Sequence, residues 1–117
     1  MRFERLQYLF DPLCGWCYAS APALGYLAQH HADKLELMPS GLFSDEGARD
    51  ITAEWAEYAW SNDRRIASLT GQPFSERYHQ LLLTGTRFDS TFMNRALTMV
   101  RDITPSAEPQ LLHTLQH

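Results

Sequence analysis

Tyr8-Leu9-Phe10-Asp11-Pro12-Leu13-Cys14-Gly15-Trp16-Cys17-Tyr18 decides the fold of this chain, because it joins an alternating run to a helical one and sets two cysteines at the junction. Upstream, residues 4–10 alternate, with Leu6, Tyr8 and Phe10 on one side and Asp11-Pro12 as a stop, which predicts a strand. Downstream, Cys17, Ala21, Leu24, Leu27 and Ala28 recur at three- and four-residue spacings until Gln29, His30 and His31, which predicts a helix with a buried stripe. Pro22 lies inside it. Lacking an N–H, and with its ring against the carbonyl of Tyr18, it should kink that helix. Lys34 to Met38 alternates again before Pro39-Ser40-Gly41, so residues 1–44 read as one βαβ unit with parallel strands.

Beyond Gly41 the period changes to that of helices. Ile51, Trp55, Tyr58, Ala59, Ile66 and Leu69 define one apolar stripe, ended by Thr70-Gly71-Gln72-Pro73. Shorter helices are expected from Ser75 to Leu83, from Ser90 to Ile103 with Asp89 or Ser90 as cap, and from Ser106–Pro109 onward with Leu111, Leu112 and Leu115 as its stripe. No strand signal follows Gly41. The fold class expected is α/β but mostly helical, with residues 45–117 a helical unit incomplete at its C-terminus. Its last apolar stripe still runs at His117, and a two-stranded parallel pair leaves both outer edges unpaired, so strands are expected elsewhere or in a second copy.

The 117 residues carry 14 acidic and 10 basic side chains, a net charge of −4, with 44% apolar content, an ordinary globular composition. Arg64-Arg65 is the longest basic run, which gives no footprint for nucleic acid or anionic lipid. No apolar stretch approaches the roughly 20 residues that span a bilayer. Neither an anchor nor a secretory signal is visible, and the chain reads as cytoplasmic.

Cys14 and Cys17 are the only cysteines. A loop so short gains about 2 kcal/mol at best from a disulfide, and ring strain reduces that, so stability is a poor reason for the spacing. In a reducing compartment a C-x-x-C pair points to redox chemistry or metal binding. Redox chemistry needs a thiolate, and Cys14 at a helix opening faces unpaired N–H groups and the positive end of the helix dipole, which should pull its pKa below about 8.5. Cys17, one turn further in, is placed to attack Cys14 in a mixed disulfide. Gly15 and Trp16 add no charge, so a smaller depression is expected than a histidine there would give. Asp11 is read as a cap of the helix entry in preference to a proton carrier for Cys17. Trp16 offers a stacking surface to substrate or else closes the core.

These residues, with a proline eight positions after the first cysteine, resemble the DsbA-like branch of the thioredoxin superfamily, and most closely its FrnE-like group of dithiol-disulfide isomerases. Arg65 to Phe74, and Phe88-Asp89-Ser90 before the Ala96–Arg101 helix, look like that group's helical insertion. The resemblance implies a partial thioredoxin-like fold interrupted by a helical domain, Cys14 as nucleophile and Cys17 as resolving thiol, and Asp11, Pro12 and Trp16 in support. With it go protein or small-molecule thiols and disulfides as expected substrates and no cofactor other than glutathione as a co-substrate, while the ligand spacing, the charge balance and the lack of a long apolar run leave no metal, nucleic acid or membrane expected. Family members add further strands, a helix and a cis-proline loop. Ser106-Ala107-Glu108-Pro109 after Thr104-Pro105 does not match that half, so no such role is carried to Pro105, and the chain looks truncated.

Three other readings compete. Zinc would use Cys14, Cys17 and His30 at C-x2-C-x12-H, but a fourth ligand at zinc-site spacing is missing. Kappa-class glutathione transferases and chromene-carboxylate isomerases share the fold with its helical insertion, but typically place serine at the first position. A non-enzymatic fragment or binding module would instead pair its sheet edge with a partner or form a homodimer.

Overall fold

Strand β1 (Leu6–Phe10) is the element from which the rest of the site is placed. In the computed structural model, which describes residues 4–117, it pairs in parallel with β2 (Leu35–Pro39), in the register Leu6 to Leu35, Tyr8 to Leu37 and Phe10 to Pro39. Residues 1–3, the start of the expected first unit, lie outside the described residues. The alternation acts as expected: Phe10 is buried and Leu6 and Tyr8 half-buried, while Gln7 and Leu9 face out. Between the strands run α1 (Gly15–Ala19) and α2 (Ala21–His30). The expected kink is a break at Ser20, which falls two residues before Pro22 because the proline can sit in the first turn of a new helix but not inside an old one. The Ser20 hydroxyl donates to the Trp16 carbonyl at 2.7 Å and closes the first segment.

The second half holds a feature the sequence reading did not expect. Arg49–Asp50 (β3) and Arg87–Phe88 (β4) pair antiparallel, two residues each, too short to show any alternation. Between them lie α3 (Ala53–Thr70) and α4 (Glu76–Leu83). Thr52 and Ser75 cap these helices by accepting from the N–H groups of Trp55 and Tyr78. Gly71 ends α3 in the left-handed region, φ 80°, which only glycine enters cheaply. The stripe drawn for α3 needs partial correction: Ile51 and Ile66 are buried as drawn, but Tyr58 and Leu69 are exposed and Ala56 and Asp63 buried in their place, the true face being offset by part of a turn. A second pair of helices, α5 (Thr91–Ile103) and α6 (Glu108–Gln116), follows. At the start of α5 the N–H of Thr91 is taken by the Asp89 carboxyl at 2.9 Å, so of the two expected caps it is Asp89 that bonds.

Two apolar clusters hold these elements. Phe10, Leu24, Leu37, Leu97 and Leu112 form the first, so α5 and α6, expected to belong to the later unit, pack onto the β1–β2 layer. Ile51, Ala56, Leu82 and Phe88 form the second. The Nε–H of Arg101 on α5 is shared between the two oxygens of the Glu108 carboxyl, at 2.8 and 3.0 Å, and so pairs a charge that is otherwise buried. Among the described residues, no helix is long and apolar enough to cross a membrane.

Candidate active site

The loop between β1 and α1 delivers both cysteines. Asp11 opens it, almost fully buried, with one carboxyl oxygen accepting from the Leu13 N–H at 2.9 Å and the other from the Phe43 N–H at 3.0 Å and the Ser90 hydroxyl at 2.8 Å. Since the Ser90 proton is directed at Asp11, Ser44 is the donor in its 2.7 Å contact with Ser90, and Asn94 donates in turn to Ser44 at 2.6 Å. Asp11 therefore sits at the end of a relay of donors that ties residues 11, 43–44 and 90–94 together. Its carbonyl also accepts from the Cys14 N–H at 3.0 Å, closing the turn on which Pro12, itself buried, and Leu13 lie.

Cys14 is the residue before α1, and Cys17 lies within it; both are half-buried and unbridged. The Cys14 thiol is pulled down to about 6. The largest cause is a hydrogen bond from the Cys17 thiol, followed, against the opposing effect of burial, by the backbone N–H groups of Cys17 and Trp16. The Cys17 thiol moves strongly upward, because that same bond and burial both hold its proton in place. The order of causes differs from the sequence argument, which rested on the helix opening alone. With α1 only five residues long, the partner thiol does more than the helix. The two shifts run in opposite directions, favouring the thiolate at Cys14 and the thiol at Cys17. Trp16 is exposed and so does not close the core.

Beside Cys14 opens a cleft of about 480 Å³, lined among others by Gly15, Tyr18, Phe74, Tyr78 and His117. The Tyr18 hydroxyl donates to the Pro73 carbonyl at 2.6 Å and its ring meets Phe74 edge-on at 4.9 Å, which fixes the wall opposite the sulfur. A larger concavity of about 1160 Å³ between α2, β2 and α6 contains neither cysteine. Among the described residues no three His, Cys, Asp or Glu side chains converge as metal ligands. His30, the third residue of the zinc reading, stacks on Tyr26 at 4.2 Å.

Asp63 is the site residue that sequence reasoning missed. It is buried on the face of α3 that packs against α1, where a methyl group placed on Gly15 would stand 2.5 Å from its Oδ1. Burial, and then the negative charge of Cys14, raise its carboxyl to about 6. The spacing Ala56, Ala59, Asp63, Ile66 would have put it on the buried stripe, but flanked by Ser61, Asn62, Arg64 and Arg65 it reads as solvated.

Searches against family models and against the curated proteins match nothing. Solved structures do match. The cytosolic disulfide reductase DsbM of Pseudomonas aeruginosa superposes with a TM-score of 0.77 at 31% identity, over 94% of this chain and 51% of that one. Over the part it spans, this chain shares the fold of the DsbA-like, thioredoxin-type disulfide reductases and isomerases. A second structure of DsbM, with GSH, matches at a TM-score of 0.76 with the same identity, and a candidate protein disulfide isomerase from Nitrosomonas europaea at 0.74 with 21%. The chain thus spans about half the length of the DsbA-like structures it matches.

Proposed function

We propose that the protein is a thiol-disulfide oxidoreductase in which Cys14 attacks and Cys17 resolves. The observation that carries this reading is the placement of the two cysteines, Cys14 at the opening of α1 and Cys17 inside it, both half-buried and unbridged, in a chain 31% identical to the disulfide reductase DsbM over the part they share. The Cys14 thiolate attacks a substrate disulfide RS–SR′, a Cys14–SR bond forms, and R′S⁻ leaves and takes up a proton. Cys17 then loses its proton, attacks the Cys14 sulfur and expels RS⁻, leaving a Cys14–Cys17 disulfide that two further thiols reduce. Asp11 and Pro12 hold the loop, and exposed Trp16 offers substrate an aromatic surface next to the sulfurs.

Protein or small thiol and disulfide compounds are the proposed substrates. The GSH bound to DsbM supports glutathione as a co-substrate, and the cytosolic location in that protein's name supports the same compartment here. For the proposed division at residue 44 into a dithiol unit and a helical insertion, the Ile51–Phe88 cluster, whose buried members all follow it, stands in favour, while the first cluster, which joins Leu97 and Leu112 to Phe10, Leu24 and Leu37, stands against. In the intact protein, Cys14→Ala should abolish insulin reduction and scrambled-substrate refolding; unchanged rates would overturn the reading. The GSH complex of DsbM also favours a second reading, glutathione transfer, and turnover of a glutathione conjugate that survives Cys17→Ser would select it.

A further inference from the structure

Asp63 takes no part in the exchange steps above, yet it is 6% exposed and makes no hydrogen bond or ion pair to any described residue. Its burial makes the charged form of this carboxyl costly. α3 holds it against the first residue of α1, with Gly15 leaving room for its Oδ1 and Ile66 Cδ1 beside it. The titratable groups that face it are Cys14 from the start of α1 and Tyr78 from α4, while Asp11 acts on the Cys14 sulfur from the preceding loop.

Building on the oxidoreductase reading, on which it rests, we propose that Asp63 is a positioning residue that biases the Cys14–Cys17 pair toward giving up electrons, because its carboxylate repels the Cys14 thiolate but not the neutral disulfide. Reduction of the disulfide by two thiols RSH yields RSSR, a Cys14 thiolate, a Cys17 thiol and one spare proton. An ionised Asp63 raises the energy of that product and leaves the disulfide alone, so the reduced pair becomes the stronger reductant. At mildly acidic pH Asp63 takes the spare proton, the repulsion vanishes and the bias is relieved. Burial and the Cys14 charge, which together move Asp63 to about 6, put this transition just below neutrality.

The coupling is reciprocal, so it is readable from both partners. In the intact wild-type protein, carboxyl-carbon NMR of Asp63 should show a midpoint near 6 when the dithiol is reduced and a lower one when it is oxidised. In Asp63→Asn, the Cys14 alkylation midpoint should fall by about 0.5–1 pH unit, and the dithiol midpoint potential at neutral pH should rise by about 15–30 mV, the same change converted. An Asp63 midpoint unaffected by redox state, or an unchanged Cys14 midpoint and potential in the variant, overturns the proposal. Either result leaves the oxidoreductase reading standing, because that falls only with an inert Cys14→Ala. Should Asp63→Asn fail to fold, the wild-type carboxyl titration decides alone.

Discussion

At Gly15 the absence of a side chain leaves room for α3, since a Cβ there would lie 2.5 Å from Asp63 Oδ1 and 3.1 Å from Ile66 Cδ1 and would push one or both aside. Gly15→Ala should therefore cost about 1–3 kcal/mol by overpacking, measured by urea denaturation. Asp63→Ala in the same chain should recover about 1 kcal/mol or more of that loss. Additive losses would show that the two residues do not collide. Asp11 makes a sharper demand. Its removal strands the N–H groups of Leu13 and Phe43 and the Ser90 hydroxyl in a buried setting. Asp11→Ala should cost about 3 kcal/mol, and a loss within experimental error of zero would contradict the relay of donors.

At the scale of elements, α3 and α4 are clamped through His79, whose ring stacks on Trp60 at 4.4 Å while its nitrogens meet Glu57 at 3.1 Å and Glu76 at 3.0 Å. Burial opposes the imidazolium, but the two carboxylates outweigh it and the ring's pKa is raised. A histidine raised on folding stabilises fully below its ordinary value of about 6.5 and loses that contribution as pH climbs through its folded value. Melting temperature should accordingly fall across that window in the wild type, and His79→Gln should flatten the fall. Elements with several turns or a full alternation were legible in the sequence, because period 2 in residues 6–10 and 35–39 and period 3.6 beyond them report burial directly. The β3–β4 ladder was not, since two residues carry no period. The dithiol was legible through its spacing. Asp63 was hidden by polar neighbours, because only the approach of α1 to α3 distinguishes a buried carboxyl from a solvated one.

Over the whole molecule, the chain places its reactive loop between two apolar clusters, and the segments that close the first come from far along the sequence. Leu97 is fully buried in that cluster, beneath β1 and β2. Leu97→Ala should cost about 2–5 kcal/mol, and the loosened seat of the loop should let the Cys14 midpoint drift back toward that of a free thiol. That long-range packing makes Cys14 more than a cysteine at a helix end: β1 and the Asp11 relay hold the loop, and α1 turns the Cys17 thiol onto its sulfur. The claim at the centre of the account is the resulting anion, and the rate of iodoacetamide alkylation of Cys14 against pH reads it directly. A midpoint near 6 is the predicted result. A midpoint near the free-cysteine value of about 8.5 would contradict it.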